Sequence, residues 1–427
     1  MSTISHAPSY YAATANEETN FPALSADISC DVCIIGAGYT GLSAALHLAE
    51  RGYGVVLVEA GKIGWGASGR NGGQLGNTQR QDQHALEKMV GKEAARALWD
   101  LGLASANLVK DLIAKHAIAC DLKPGILHAA WKRSDADDLR GEQDHLARDY
   151  GATGLRFIER GEMAEMLGTS RYWGGLLSQE AGHLHPLNFA LGLGNACRKA
   201  GVQIFEQTQA TAISRTDPAR VTTPQGTVTA AHVVLACNGY LDGLEKRMAG
   251  RIMPINNFVI ATEPLGEDGA RALIRDDVAV ADTKFVIDYY RLSADKRLLF
   301  GGGENYSSTF PRDIASFVRK PMLRVFPQLE KVKIDYAWGG TLAITLNRMP
   351  DLGRLPPNIF YAQGYSGQGL NMATLAGQLI AEALAGTAER FDVMSKVPTP
   401  TFPGGTWLRY PGLVAGMLFY ALKDRLP

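Results

Sequence analysis

The stretch DVCIIGAGYTG, residues 31–41, decides the fold of the first part of the chain. Its apolar run ends at Ile35 and predicts a buried strand, and the glycines after it predict a tight turn. Apolar residues then recur at helical spacing over residues 42–49, and residues 55–58 (VVLV) predict a second strand that ends before Glu59. A strand, glycine turn, helix and strand in close succession form a βαβ unit.

The glycine turn of this unit predicts a dinucleotide site. Gly36 allows the tight turn, Gly38 lets the backbone approach a pyrophosphate, and Gly41 lets the helix pack closely on the strand. The N-terminus of the helix would bind the phosphates. Glu59 would accept hydrogen bonds from an adenosine ribose and would repel a 2′-phosphate, which disfavours NADP. A glycine turn without a ligand is the alternative interpretation.

Three further glycine-rich segments favour a flavin over a nicotinamide. Residues 64–73 (GWGASGRNGG) contain five glycines in ten positions, a loop for which a nicotinamide-binding domain has no use. Residues 233–239 predict a strand that ends at a glycine, suited to a backbone contact with the adenosine half. Residues 359–369 predict a strand that runs into a glycine loop, followed by a helix that stops at Gly386. The N-terminus of that helix is a candidate donor to the flavin N1/C2=O edge.

In this order, the four segments resemble the D-amino-acid oxidase superfamily of FAD-dependent amine oxidoreductases over nearly the whole chain. The loop ASGRNGG, residues 338–355, the loop GYSGQGLNMA and the segment FPGGTWLRYP are similar to the bacterial γ-glutamylputrescine oxidase group. The resemblance implies an α/β, Rossmann-like FAD-binding domain of the glutathione-reductase type and an α+β substrate domain whose antiparallel sheet caps the flavin. It also implies noncovalent FAD, because residues 344–349 lack the cysteine that some relatives carry just before the motif matched by Pro350 and Asp351.

The expected domain division is non-contiguous. It comprises an irregular N-terminal arm (1–26), an FAD-binding domain (27–98, 178–246 and 335–395), a substrate domain (99–177 and 247–334) and a C-terminal tail (396–427). In the substrate domain, residues 285–291 and 297–300 predict strands joined by a turn at 293–296. The apolar residues 413–422 predict a packed helix, with peripheral membrane contact or partner docking as the alternatives, and the run is too short to span a membrane.

The predicted cofactor contacts follow from the four segments and the resemblance. The substrate-side candidates are Tyr289, Tyr290, Arg291 and Trp338, although packing explains each of them equally well. Arg291 would bind a substrate carboxylate through two parallel hydrogen bonds. No protein residue is predicted to be catalytic, because the flavin performs the chemistry. The FAD contacts are Gly36, Ala37, Gly38, Tyr39, Thr40, Gly41, Glu59, Ala60, Gly66, Ala67, Ser68, Arg70, Asn71, Gly72, Gly73, Gly239, Gly364, Tyr365, Ser366, Gly367, Gln368, Gly369 and Leu370.

The resemblance implies transfer of a hydride from the amine-bearing carbon to flavin N5, which gives an imine that water hydrolyses to an aldehyde. The expected substrate is γ-glutamylputrescine or a related γ-glutamyl polyamine, and the expected acceptor is oxygen, which would yield hydrogen peroxide. The lysine that sarcosine-oxidising relatives carry near the flavin has no recognisable counterpart in this sequence. Two alternatives stay open. One is a D-amino-acid or N-methyl-amino-acid dehydrogenase that reduces a quinone, and the other is a non-catalytic FAD-binding partner protein.

The composition of the chain bears on its possible partners, its cellular compartment and metal binding. The 43 basic and 43 acidic residues balance, which argues against nucleic acid as a partner. Five cysteines favour a reducing compartment, so we expect a cytoplasmic protein without a secretory signal. No metal is expected, because Cys30 and Cys33 lie on opposite faces of one strand and have no second pair. His183 and His185 are predicted to be structural, although their spacing would let them line a site.

Overall fold

A computed structural model describes residues 4–305 and 309–407. In these ranges the chain forms two β-sheets and the helices that cover them. The strands are β1 Ile28–Ile35, β2 Val55–Val58, β3 Gln74–Leu75, β4 Lys123–Ala129, β5 Leu155–Glu159, β6 Gly174–His183, β7 Gln203–Phe205, β8 Ala212–Ile213, β9 Ala219–Thr223, β10 Gly226–Leu235, β11 Met253–Thr262, β12 Ala279–Asp282, β13 Tyr289–Leu292, β14 Leu298–Asn305, β15 Ile334–Ile344, β16 Asp351–Leu355 and β17 Ile359–Gln363. The helices are α1 Tyr10–Ala13, α2 Tyr39–Ala49, α3 Gln83–Val90, α4 Lys92–His116, α5 Arg133–Tyr150, α6 Arg160–Leu167, α7 Pro186–Lys199, α8 Lys246–Ala249, α9 Gly266–Leu273, α10 Ile314–Val325, α11 Gly369–Leu384 and α12 Glu389–Ser395.

The first sheet has the parallel core of a Rossmann-like domain. Its main path runs β16-β17-β10-β1-β2-β7, and β1 pairs in parallel with both β10 and β2. Helices α2, α7 and α11 pack together over this sheet, and the side chains of β2 are all buried. In β2, Val55 and Leu57 pack in the cluster that contains these helices, whereas Val56 and Val58 pack on the other face with residues of β9 and α8. The predicted α/β class is confirmed.

The predicted βαβ unit is confirmed, with β1, α2 and β2 in the expected order. Gly36 has a φ of +108°, a region that other residues rarely adopt. A Cβ atom at Gly41 would lie 1.9 Å from the carbonyl oxygen of Gly36. The first glycine is therefore required by backbone conformation and the last by the close approach of helix to strand.

The second sheet is largely antiparallel, as the resemblance implies. Its main path runs β15-β11-β14-β13-β12-β4-β6-β3, with β5 paired to β6, and β12 and β4 form a parallel pair. The predicted turn at 293–296 joins β13 to β14. The predicted strand at 285–291, however, begins only at Tyr289. The backbone before it closes a loop in which Asp288 N–H donates to Asp282 Oδ1 over 3.0 Å, so residues 285–288 are not paired as a strand.

The strand pairing differs from the predicted domain division in three places. Strand β3 was predicted as part of the FAD-binding domain, yet it pairs with β6 in the second sheet. Most of β15 was predicted as part of the FAD-binding domain, yet β15 pairs with β11 in the second sheet. The end of β6, from residue 178, also stays in the second sheet, because it pairs with β4 and β5 before α7 returns the chain to the first sheet. The domain boundaries themselves stay a prediction.

The N-terminal arm contains a short helix rather than irregular chain alone. In α1, Ser9 caps the helix, and Tyr10 and Tyr11 are buried. The ring of Tyr11 lies 5.1 Å from the ring of Trp338 and 5.0 Å from that of His185. The arm is thus packed against both parts of the chain. The predicted helix at 413–422 lies outside the described residues, and none of the described helices is both long and apolar enough to cross a membrane.

Candidate active site

A cavity of about 1200 Å³ is walled by residues of both sheets and their connecting loops. This volume exceeds the ~300–1,000 Å³ that is usual for a pocket holding one drug-sized ligand. The carboxyl ends of β1 and β2 open into it through Ile35 and Val58, and β4, β12 and β13 of the second sheet form another wall. The cavity therefore has room for a dinucleotide and a substrate together.

Most of the predicted FAD contacts converge on this cavity. Ala37, Gly41, Gly73, Gly239 and Gly364 are the predicted contacts that do not line it. Close packing explains some of these glycines, since a Cβ atom at Gly73 would lie 2.2 Å from the carbonyl oxygen of Leu184. Those that line the cavity are Gly36, Gly38, Tyr39, Thr40, Glu59, Ala60, Gly66, Ala67, Ser68, Arg70, Asn71, Gly72, Tyr365, Ser366, Gly367, Gln368, Gly369 and Leu370.

The carboxylate of Glu59 lies in the cavity lining and is held by backbone hydrogen bonds. Its Oε2 accepts a hydrogen bond from Ala37 N–H and its Oε1 accepts one from Gly61 N–H, both over 2.8 Å. These bonds fix the carboxylate at the cavity wall, where burial raises its pKa. Because each carboxylate oxygen has further acceptor capacity, hydroxyl groups of a ribose would satisfy it.

Two helix N-termini face the cavity and fit the polar groups of FAD. Neither Gly38 before α2 nor Gln368 before α11 provides a side-chain cap. The first-turn N–H groups and the positive end of each helix dipole therefore suit a pyrophosphate at α2 and the flavin C2=O edge at α11. A hydrogen bond of 2.6 Å between the Thr40 and Tyr365 hydroxyls connects the start of α2 to the loop before α11.

The glycine loop at 64–73 is held by its own side chains. Arg70 Nε donates to Trp65 O over 2.7 Å, and its guanidinium lies 4.5 Å from the centre of the Trp65 ring. Asn71 Nδ2 donates to the carbonyl oxygen of Ala67 over 3.0 Å, while its Oδ1 accepts from Gly73 N–H over 2.8 Å. This bonding presents the loop backbone to the cavity in one conformation.

Of the four substrate-side candidates, Tyr289 alone lines the cavity. Its hydroxyl donates to Asn257 Oδ1, and its ring occupies the space left by Gly72 and Gly301. Tyr290 points to the opposite face of β13, where its ring stacks on Phe300 at 5.4 Å. The prediction is therefore corrected for Tyr290, because adjacent residues of a strand face opposite sides.

The predicted substrate roles of Arg291 and Trp338 are also corrected. Arg291 is 4% exposed, and its donors bind Gly72 O, Leu292 O and the Tyr11 hydroxyl. Trp338 is buried behind the glycine loop and donates from Nε1 to Arg70 O over 3.0 Å. Both side chains connect the second sheet to the loop, and neither one reaches the cavity.

Sequence reasoning missed a second part of the cavity wall. Residues 76–83 (GNTQRQDQ) line it, as does a group of mainly apolar side chains that we call the distal chamber. One signal was available, since Leu139, Glu142 and Leu146 recur at helical spacing on one face of α5 with a carboxylate between two leucines. The distal chamber is formed by Trp99, Ile126, His128, Leu139, Glu142, Leu146, Leu155, Leu176 and Ser178.

The histidines and cysteines considered from sequence serve the fold. His183 Nε2 pairs with Asp277 O over 2.8 Å, and His185 Nδ1 accepts from Asn188 N–H at the start of α7. Burial, aided by the charge of Arg291, lowers the pKa of each to about 3. All five cysteines are free, and Cys237 lies at the cavity wall.

A group of three possible metal ligands, His84, Glu87 and His145, lies away from the cavity wall. The two imidazole rings are stacked at 3.7 Å, and Glu87 Oε1 accepts from the Tyr150 hydroxyl over 2.8 Å. Parallel rings direct their nitrogen lone pairs side by side rather than toward one point. The arrangement is explained by stacking and hydrogen bonds between α3 and α5.

Comparisons with known proteins agree with this geometry. The family model described as FAD dependent oxidoreductase matches residues 31–383. The γ-glutamylputrescine oxidoreductase of Escherichia coli K12 is 46% identical over 422 residues, which cover 99% of each chain. The probable oxidoreductase OrdL of Haemophilus influenzae is 39% identical over 98% of each chain. The crystal structure of glycine oxidase from Geobacillus kaustophilus shares the fold, with a TM-score of 0.71 at 23% identity over 84% of this chain and 95% of that one.

Proposed function

The chain belongs to the family of FAD-dependent oxidoreductases, and from this we propose that it oxidises γ-glutamylputrescine or a related γ-glutamyl polyamine. Its relatives act on CH–NH groups, so it is an FAD-dependent amine oxidoreductase. The non-catalytic alternative considered from sequence is thereby set aside. The finer proposal is supported by 46% identity to γ-glutamylputrescine oxidoreductase along almost the whole chain.

One observation carries the choice of a long substrate. The cavity does not stop at the predicted flavin contacts but continues into the distal chamber, which is lined by Trp99, Leu139, Leu146 and Leu176. A small amino acid beside the flavin would leave that chamber unfilled. Apolar walls suit the methylene chain of a polyamine, because burying each methylene contributes about 0.8 kcal/mol.

When bound, FAD supplies a hydride acceptor beside the amine-bearing carbon, and the resulting imine is hydrolysed to an aldehyde. The chain orients the substrate and excludes water. Tyr289 forms the wall next to the glycine loop, in a position fixed by its hydrogen bond to Asn257. The largely apolar surroundings disfavour an ammonium ion and so favour the neutral amine, whose lone pair assists hydride departure.

We further propose that FAD is held without a covalent bond and that oxygen reoxidises it to give hydrogen peroxide. Residues 344–349 contain no cysteine, and Cys237 lies in the segment predicted to contact the adenosine half of FAD. The cavity wall includes Lys284, whose ammonium is paired with Asp288 and lies 3.2 Å from Asp282. A dehydrogenase that passes electrons to a quinone is the alternative that the acceptor test must distinguish from an oxidase.

Location of the protein in the cytoplasm stays a prediction.

The proposal is tested by mixing the yellow holoenzyme with candidate amines in the absence of oxygen. We expect γ-glutamylputrescine to bleach the flavin, and free putrescine and D-amino acids to do so poorly. Admission of oxygen should restore the colour and release one peroxide per substrate. Preferential bleaching by D-amino acids would contradict the proposed substrate. Reoxidation of the flavin by a quinone but not by oxygen would contradict oxygen as the proposed acceptor.

A further inference from the structure

The distal chamber contains two polar side chains that the fold does not use. His128 and Glu142 line it and, within residues 4–305 and 309–407, neither side chain makes a hydrogen bond or an ion pair. His128 is exposed to the cavity and Glu142 is half-buried. Since buried polar groups usually have a hydrogen-bond partner, the half-buried carboxylate of Glu142 is the group that a bound molecule would most benefit.

Glu142 is placed by the geometry of α5. It lies one turn after Leu139 and one turn before Leu146, and all three side chains line the cavity. The carboxylate is half-buried, whereas acidic residues of the same helix such as Asp138 and Asp144 are exposed. A surface glutamate would lie on the exposed face, so position and burial both assign Glu142 to the chamber.

The electrostatics around Glu142 favour a cation. Burial raises the pKa of its carboxyl group, and the nearby charge of Asp82 raises it further. Asp82 also lines the cavity, where its Oδ1 accepts from Ala85 N–H at the start of α3. Since both groups are acidic, an approaching ammonium would relieve the unfavourable burial and repulsion, and a carboxylate would increase them.

His128 provides the second, independent observation. Its side chain is exposed to the cavity, while desolvation by the surrounding protein lowers its pKa, as does the charge of Arg80. A neutral imidazole has one donor and one acceptor to offer. A polar ligand that passes from the flavin end into the distal chamber would meet this ring.

We propose that Glu142 binds an ammonium group at the end of the substrate remote from the oxidised amine, and thereby selects substrates that carry a second amine there. The inference rests on the proposed function, because in γ-glutamylputrescine that group is the α-ammonium of the glutamyl part. Glu142 is thus a specificity-determining residue.

The test compares two substrates that differ in this group alone. One is γ-glutamylputrescine and the other is N-glutarylputrescine, which lacks the α-amine. Flavin reduction without oxygen is followed in the parent holoenzyme, in Glu142→Gln and in Glu142→Asp. The matched control is Asp138→Asn, which removes one negative charge from the exposed face of the same helix.

We expect Glu142→Gln to raise the dissociation constant of γ-glutamylputrescine about ten- to a hundredfold, the usual effect of losing a charge-assisted hydrogen bond. The limiting rate of flavin reduction should change little. N-Glutarylputrescine, which offers a carboxylate and no ammonium at this end, should bind Glu142→Gln no more weakly than the parent. Glu142→Asp should recover part of the loss, and Asp138→Asn should match the parent. Flavin absorbance and thermal melting confirm that each variant is folded.

Two results would overturn the inference alone. Equal weakening of both substrates by Glu142→Gln would assign the residue to the shape of the chamber, and unchanged binding of both would leave it no role in recognition. Failure of γ-glutamylputrescine to reduce the parent flavin is a different result, because it would overturn the proposed function together with this inference.

Discussion

The guanidinium Nε of Arg291 donates a hydrogen bond to the carbonyl oxygen of Gly72 over 2.9 Å. Its Nη2 donates to the Tyr11 hydroxyl over 3.2 Å. One buried side chain of β13 therefore connects the second sheet, the glycine loop and the N-terminal arm. The planar fork expected to bind a substrate carboxylate instead organises the wall on which the flavin is predicted to rest.

We expect Arg291→Lys to weaken the fold and FAD binding rather than substrate binding. A lysine ammonium cannot reproduce the planar arrangement of donors, and losing a hydrogen bond from a charged group costs about 1.5–3 kcal/mol. The free energy of unfolding in urea and the dissociation constant of FAD measure this. A selective rise in the KM for γ-glutamylputrescine, with no change for putrescine, would contradict the assignment.

Gly41→Ala should reduce stability and FAD binding together. The new methyl group would lie 1.9 Å from Gly36 O, so α2 must move away from β1, and such overpacking costs about 1–3 kcal/mol or more. The matched control is Gly161→Ala in α6, where a Cβ atom meets nothing within 4 Å. Urea unfolding of both variants measures the difference. Equal stability of the two would show that the first sheet tolerates a wider turn.

Glu59→Gln should weaken FAD about ten- to a hundredfold while leaving turnover at saturating FAD nearly unchanged. In the parent, each carboxylate oxygen accepts one backbone N–H, from Ala37 or from Gly61, and the amide replaces one of these two acceptors by a donor. Titration of the apoprotein with FAD measures the affinity. An unaltered affinity would remove Glu59 from the ribose site.

Acid precipitation should release the yellow colour into the supernatant. This outcome follows from the absence of cysteine at residues 344–349, the position of attachment in some relatives. The absorbance of the supernatant and of the washed, redissolved pellet is compared at flavin wavelengths. Colour that stays with the pellet would demonstrate a covalent bond and direct attention to Cys237 at the cavity wall.

Asp282→Asn should change how stability depends on pH. Burial raises the pKa of Asp282 to about 7, although Lys284 opposes the shift. The folded protein thus binds a proton that the unfolded chain releases near pH 4, and this residue makes the free energy of unfolding fall between about pH 4 and 7. Asparagine removes that contribution. Urea unfolding across this range should show that the free energy of unfolding of the variant rises relative to that of the parent as pH rises. Parallel pH profiles of the two proteins would contradict the prediction.

Local pattern was sufficient for the βαβ unit at the centre of the first sheet. Gly36 has a positive φ and Gly41 lies against the Gly36 carbonyl, requirements that other residues rarely meet, and the spacing of these glycines predicted β1, α2 and β2. The carboxylate at the end of β2 likewise predicted where Glu59 meets the cavity. These requirements act over short distances along the chain, and sequence records them directly.

The substrate side was decided by tertiary structure. Alternation along β13 was readable, but which face meets the cavity depends on the pairing of β13 with β12 and β14 and on the arm that covers Arg291. The distal chamber joins α5 to β4 and β6, elements whose side chains come together only after the second sheet has formed. A half-buried carboxylate such as Glu142 has no distinctive local pattern, because its burial is set by neighbours that are distant in sequence.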